Sequence, residues 1–305
     1  VSRVVFVLVP GLHLLDLAGA AQVFSTAVDY GHEYHLAYVA EQPDIRTHQG
    51  VRLHADTQWP DLDPGDLIVV PGWRSPQRLE IGGLAPSSLR RIAAHHAAGG
   101  TVASVCSGAD ALGRAGLLNG RRCTTHHDFQ DELARRFPQA EVIRDVLYVS
   151  TDRVVTSAGI ASGIDLALHL VATRHGPAVA ARIARQMVVY ARRNGDDQQE
   201  SAMLRLRAHM SDVVHRVQDR IDGHFAEVLP LEALARTAGV SERTLTRRFE
   251  AATGHTPLRY QQLLRVERAE HLIGHGATVE SAARAVGFGD ARMLRRLRNR
   301  DRVPL

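Results

Sequence analysis

At 305 residues, with 45% apolar and 23% charged side chains, the chain exceeds one ordinary domain and can close more than one core, so two globular domains are expected. Two cysteines, Cys106 and Cys123, exclude a disulfide framework, and nothing approaches the roughly 18 consecutive apolar residues that span a bilayer, which points to a cytoplasmic protein without a membrane partner. The net charge of +4 is unevenly placed: residues 1–200 carry 19 Arg against 21 acidic residues and 201–305 carry 18 Arg against 12, so a polyanionic partner belongs to the last third.

The opening run VVFVLVPGLHLLDLAG is broken by Pro10, His13 and Asp16 and reads as a buried strand and turn rather than a signal sequence. Strand runs follow in order: VVFVLV (4–9), YHLAYVA (34–40), DLIVVPG (66–72), TVASV (101–105) and VVTSAG (154–159). Helical patterns lie between and beyond them, after Asp16 and at SSLRRIAAHHAAG, SGADALGRAGLL, DFQDELARRF and IDLALHLVATRHG. This alternation predicts an α/β domain over 1–191, a mostly parallel sheet flanked by helices. Residues 192–203, polar and without an apolar period, read as a linker.

Residues 204–305 read as an all-α domain with two helix-turn-helix units. Residues 204–225 form one amphipathic segment; Leu231, Leu234, Ala235 and Ala238 then recur at helical spacing. Gly239 allows a tight turn, Ser241 caps the helix SERTLTRRFEAATG, and Leu245 and Phe249 share one face of it. A long helix, PLRYQQLLRVERAEHLIGH, leads to a second copy, TVESAARAVGFGDARMLRRLRNR, with Gly287 in the turn and Leu294 facing inward. The two glycines set a repeat of about 48 residues.

The second helix of such a motif enters the major groove, so Arg243, Thr246 and Arg247, off the Leu245/Phe249 face, are placed to meet bases or phosphates. A solvated basic face on an ordinary bundle is the competing reading, and two copies in one net-positive domain weigh against it. The order L-E-x-L-A-x-x-A-G-V-S-x-R-T-L-x-R-R-F, then G-x-x-P-L-x-Y-x-x-x-L-R-x-x-x-A and A-x-x-V-G-F-G-D, resembles the AraC/XylS transcription regulators over residues 220–296. That resemblance implies double-stranded operator DNA as partner. It puts Arg243, Thr246 and Arg247 on the base-facing positions of the first recognition helix and Arg292, Arg295 and Arg296 on those of the second. Where the family carries an aromatic four residues after Leu294, this chain has Arg298. An arginine cannot fill a buried aromatic slot, so the second recognition helix is expected to be short or frayed unless Leu297 turns inward.

Cys106 stands between a buried strand and a helix, on a sharp turn where its sulfur points outward and the helix N-terminus favours a thiolate. The amides from Ser107 onward supply half of an oxyanion hole, and those of Gly72 and Trp73 in VVPGW (69–73) the other half. A lone cysteine after a strand is more often a small buried hydrophobe. Asp16 either hydrogen-bonds the sulfur as an acid with a raised pKa or caps the helix beside it. His95/His96 and His126/His127 are not read as metal ligands, because neighbouring histidines on a helix diverge and no Cys or acidic ligand has matching spacing; no cofactor is expected.

VPGLHLLDLAGAAQVF, VVPGW, ASVCSGADALGRAGLLNGRR, TTHH, ELARRFP and VVTSAGIASGIDLALHLV together resemble the ThiJ/PfpI superfamily, with its class I glutamine amidotransferase-like, flavodoxin-like fold, over residues 4–190. Its fusion to an AraC-type domain resembles the GlxA-type transcription regulators. The resemblance makes Cys106 the elbow cysteine, Asp16 the acid facing it and Ser107 a pocket-lining residue; Gly72, Trp73 and His126 complete the candidate ligand pocket. Isocyanide hydratases look similar at Asp16 and Cys106. The superfamily's peptidases carry histidine at the position of Ser107, so a ready base is missing, and His127 replaces the tryptophan usual beside His126 in GlxA-like sequences.

These features favour a non-enzymatic, sequence-specific transcription regulator whose first domain senses a small-molecule effector. The alternatives are a Cys106-dependent hydratase or amide hydrolase with an appended DNA-binding domain, and a DNA-binding protein whose first domain chiefly dimerises. A homodimer suits regulators that read paired half-sites.

Overall fold

Runs apolar on every residue are what a parallel sheet needs when helices cover both its faces, and the first unit is built from them. In the computed structural model, which describes residues 2–74, 83–189, 195–196, 199, 206–207, 209–274 and 276–301, the chain divides into residues 1–199 and 200–305. The first unit runs β1 (Ser2–Leu8), α1 (Leu14–Asp29), β2 (Tyr34–Ala40), β3 (Asp44–Arg46), β4 (Arg52–His54), β5 (Leu67–Val70), α2 (Pro86–Ala97) and β6 (Thr101–Val105). It continues with α3 (Ala109–Arg114), β7 (Arg122–Cys123), α4 (Gln130–Arg136), β8 (Glu141–Val142), β9 (Tyr148–Thr151), β10 (Val154–Ser157), α5 (Ser162–His175) and α6 (Pro177–Gln186). The main sheet has the order β2-β1-β5-β6-β10-β9, parallel throughout except for β9. Its core strands β1 and β5 are buried along nearly their whole length.

Helices α1, α5 and α6 pack on one another, as do α2 and α3. The sheet order reverses between β1 and β5, and in open α/β sheets a ligand crevice forms at the carboxyl ends of strands beside such a switch point. Several details depart from the sequence expectation. Helix α1 begins at Leu14, so Asp16 lies within its first turn. The run SGADALGRAGLL becomes a 3-10 turn over Cys106–Gly108 followed by the short α3. Strand β9 reaches β10 through Asp152 and Arg153, both at positive φ (48° and 59°), a hairpin turn made without the Asn-Gly signal that marks it. The stretch 192–203 lies for the most part outside the described residues.

The second unit holds α7 (Asp212–Gly223), α8 (Leu231–Ala238), α9 (Glu242–Thr253), α10 (Pro257–Gly274), α11 (Val279–Ala285) and α12 (Ala291–Asp301). Among the described residues of the segment expected over 204–225, helix begins at Asp212, where the Ser211 hydroxyl accepts the Val214 amide. Before it, Arg207 pairs with Asp219 and Asp222, and Tyr260 donates to Asp222 at 2.7 Å. Two cores form. Val217, Ile221, Leu234, Leu245, Phe249 and Tyr260 build the first, and Ala269, Ala282, Val286, Phe288, Leu294 and Leu297 the second. Helix α10 contributes to both.

The second recognition helix is neither short nor frayed. Helix α12 runs 11 residues, Leu297 is 2% exposed, and Arg298 makes a two-pronged ion pair with Glu270 of α10. Leu297 supplies apolar burial that the missing aromatic does not, and the carboxylate satisfies a guanidinium that has nowhere else to go.

The two turn glycines share a left-handed φ, 67° at Gly239 and 83° at Gly287, but differ in surroundings. A Cβ at Gly239 meets nothing within 4 Å, whereas one at Gly287 runs into the Ala226 carbonyl. Gly239→Ala is therefore expected to cost about 1 kcal/mol, the left-handed penalty alone, and Gly287→Ala distinctly more. Calorimetric unfolding of the full chain checks the order; equal losses contradict it.

Candidate functional site

Three chain segments that leave carboxyl ends of the sheet converge on Cys106. The residue has φ 55°, left-handed for a side chain that rarely tolerates it, and is 4% exposed. Neighbours hold the strained turn in place. The Thr125 hydroxyl donates to the Cys106 carbonyl at 2.7 Å. Gly108 lies so tightly under the end of β5 that a Cβ there overlaps the Val70 carbonyl, and Gly159, at φ 112°, passes with its Cβ position only 2.8 Å from the sulfur. The Ser162 hydroxyl in turn accepts the Gly159 amide at 2.6 Å.

Asp16 is fully buried and accepts two backbone amides, Gly72 N–H at 3.1 Å and Ile160 N–H at 2.8 Å. It therefore does not cap α1, and its hydrogen bonds go to the loops after β5 and β10. Gly72 is bare of necessity: a Cβ would lie 2.5 Å from Asp16 Oδ2 and 2.7 Å from Cys106 Cβ. Burial pushes the Asp16 carboxyl up to about 7, against the pull of the two amides.

The electrostatics reverse the expected thiolate. Burial, then the Asp16 carboxylate, drive the Cys106 thiol well above its ordinary range, and the Ser107 amide does not offset them. The expected second half of an oxyanion hole is also spent. Gly72 N–H goes to Asp16, and Trp73 N–H goes to the Ser107 hydroxyl at 2.8 Å, which donates back to the Trp73 carbonyl at 2.8 Å. Ser107 is thus a clamp between β5 and β6. One donor stands apart: the indole N–H of Trp73 is buried, with no hydrogen-bond partner among the described residues.

His126 follows Thr125, and its ring accepts the Asp128 amide at 3.3 Å. Contrary to expectation, His126 and His127 do not diverge: in the 3-10 turn His127–Phe129 their rings lie 4.1 Å apart, and both face the Asp128 carboxylate. These three side chains bring ligand-type atoms within 4.8 Å of one another. His95 and His96 do diverge, one ring reaching the Asp66 carbonyl at 3.1 Å and the other that of Asp152 at 2.9 Å. Thr125, Gly159 and Ile160 lie in the stretches TTHH and VVTSAGIASGIDLALHLV that carry the resemblance, but the sequence assigns no role to them.

In the second unit Arg243 and Arg247 are exposed on α9, over the buried Leu245 and Phe249, and Thr246 donates back to the Glu242 carbonyl at 3.0 Å. On α12 Arg296 is exposed, Arg292 lies 3.3 Å from Asp290, and Arg295 pairs with Glu280. Both cysteines are free and buried. No helix of the described residues is long and apolar enough to cross a membrane.

An α/β unit with a left-handed elbow cysteine at the sheet's carboxyl edge, together with a paired helix-turn-helix unit, defines a DNA-binding transcription regulator of the AraC type. The chain belongs to the DJ-1/PfpI family, matched over residues 2–173, and carries a helix-turn-helix domain matched over 234–300. The HTH-type transcriptional regulator CdhR of Pseudomonas aeruginosa is 26% identical over 270 residues, 88% of this chain and 79% of the relative. An isonitrile hydratase of Pseudomonas putida is 34% identical over 170 residues, 54% of this chain and 68% of the relative. The crystal structure of an AraC family transcriptional regulator from Pseudomonas putida aligns with TM-score 0.53 at 23% identity, over 61% of this chain and 100% of that one; it speaks to the fold alone.

Folding raises the Asp16 carboxyl from 3.8 to about 7, so between those values the native state keeps a proton that the unfolded chain releases. Its contribution to stability is complete below about pH 4 and is lost as the pH rises through 7. Asp16→Asn should flatten this slope while lowering stability, since its amide nitrogen must face an N–H donor. Denaturant unfolding across that range, followed by the fluorescence of Trp59 and Trp73, measures both; an unchanged slope contradicts the assignment.

Proposed function

We propose that this protein is a one-component, cytoplasmic regulator in which a small-molecule effector binds beside Cys106 and changes how the arginine-bearing recognition helices engage operator DNA. The effector site comprises Asp16, Gly72, Trp73, Cys106, Ser107 and His126. The observation that carries the reading is the indole N–H of Trp73, buried and without a hydrogen-bond partner among the described residues, on a residue whose own backbone amide, like those of Gly72 and Ile160, is already taken. A buried donor without a partner is costly, and an acceptor on a bound molecule removes the cost. The effector acts only through different affinities for DNA-competent and DNA-incompetent states of the chain. Arg243, Thr246 and Arg247 meet the DNA first, with Arg292, Arg295 and Arg296 as the second set, and a homodimer presents two such sets to paired half-sites.

The isonitrile hydratase relative favours one other reading, turnover at Cys106. A thiol held neutral and strand-end amides already occupied argue against it. Purified protein that hydrates an isocyanide, with the activity lost in Cys106→Ser, would establish that second reading in place of the first.

For the DNA half, affinity for a duplex selected by the full chain from a random-sequence pool should fall with salt at a slope near −0.9 per phosphate neutralised. Arg247→Ala should weaken binding about tenfold or more, and a flat salt response defeats the assignment. For the effector half, a thermal-shift screen of small amides, amines, aldehydes and quaternary ammonium compounds should yield a stabilising ligand. Its shift should shrink in Trp73→Phe while DNA affinity without ligand stays put.

A further inference from the structure

The two helix-turn-helix units are copies of one pattern, so each serves as a control for the other. Leu245 corresponds to Leu294, which pairs Arg243 with Arg292, Thr246 with Arg295, Arg247 with Arg296, and Phe249 with Arg298. In the leading helices, counted from the turn glycines, Glu232 corresponds to Glu280 and Arg236 to Arg284. The side chains are nevertheless partnered differently. Glu232 lies 3.5 Å from Arg236 on its own helix, and the hydroxyl of Thr246, the counterpart of Arg295, turns back to its own helix. In the second unit Glu280 crosses to the recognition helix and takes Arg295. Glu270 of α10 takes Arg298, whose side chain is 19% exposed. Among the described residues, Arg243 and Arg247 have no carboxylate within ion-pair distance, whereas Arg292 also has Asp290.

We propose that Glu280 is an internal phosphate mimic that latches the second recognition helix: Arg295 reaches duplex DNA only by exchanging Glu280 for a backbone phosphate, and the first helix-turn-helix sets the affinity. This rests on the DNA-binding reading of the second unit given above. The exchange is close to balanced. Arg295 and Glu280 are each a little over half exposed, and ion pairs of that kind are weak and screened by salt. Binding through Arg295 therefore gains little from the new contact, and it brings the Glu280 carboxylate towards the polyanion. Arg298 is different in kind. Its half-buried, two-pronged pair with Glu270 occupies a core slot, so it holds α12 on α10 and is not available to DNA.

The test uses the full chain and a duplex it has selected from a random-sequence pool, with affinities measured across a salt series. Glu280→Gln removes the carboxylate at an exposed position without emptying space. Binding is expected to tighten about two- to fivefold, with the log–log salt slope steeper by about one as Arg295 is released to a phosphate. Arg295→Ala should cost distinctly less in the wild-type background than in the Glu280→Gln background, where it cancels the gain. Unchanged or weaker binding in Glu280→Gln with an unchanged slope, or an equal cost of Arg295→Ala in both backgrounds, overturns the latch. Arg247→Ala on the same duplex separates the two levels of argument. If it weakens binding while Glu280→Gln is neutral, only the latch fails; if it too is neutral, the DNA-binding reading of the unit fails with it.

Discussion

The carboxyl group of Asp16 accepts amides from Gly72 and Ile160, and those two hydrogen bonds decide where the loops after β1, β5 and β10 meet. Both amides lie past the ends of their strands, so in a dry interior each needs an acceptor that the sheet no longer supplies. A single carboxyl serves both, at the expense of burying an acid whose proton is half lost near neutrality. The surrounding glycines follow from this choice. Gly72 leaves room for the carboxyl, and Gly159 lets its loop cross the sulfur of a cysteine already at φ 55°. The buried acid, the bare loops and the strained elbow are one mechanical unit.

That unit also sets the chemistry available to Cys106. A nucleophilic cysteine needs a nearby positive field or a base, and vacant donors to receive developing negative charge. Here the strongest nearby charge is negative, and the two strand-end amides are occupied. The features that make the sulfur a poor nucleophile suit the neighbourhood to recognition. A carboxyl shielded from water and poised near neutrality shifts one way when a cation is placed beside it and the other way when water is displaced by an apolar group. In the proposed effector reading, ligand binding is coupled to the protonation of a group that holds three loops together.

How legible this was in the sequence depended on whether a feature is written in residue types. Strands β1, β2, β5, β6 and β10 were plain, because doubly buried parallel strands leave continuous apolar runs. Strand β9 and helix α6 were not: the first hangs on an Asp152-Arg153 turn with no glycine or asparagine, the second on three buried residues, Ala180, Ile183 and Ala184. Cys106 stood out by its place between a buried strand and a helix, and the family resemblance set Asp16 against it. Thr125 acts through a hydroxyl whose target, the Cys106 carbonyl, lies 19 positions away, and Ile160 through a backbone amide that almost any residue type could supply. The oxyanion reading failed for a related reason. Sequence shows which amides end a strand, but not which side chain from 56 positions away arrives to take them.

The second unit carries the same lesson in its internal repeat. Where the first motif packs Leu234, Leu245 and Phe249, the corresponding positions of the second hold Ala282, Leu294 and Arg298. Less apolar area is buried there, at about 25 cal/mol per Å², and part of the fastening passes to Glu270 and Glu280. Ion pairs with exposed members hold more weakly and yield to competing charges, so the two motifs differ in how readily each gives way locally as well as in the charge each offers. Helix α10 carries both cores, so the two recognition helices share a single support. The arginine in an aromatic's place is thus part of how the domain divides its labour, with Phe249 anchoring one recognition helix and a half-buried carboxylate anchoring the other.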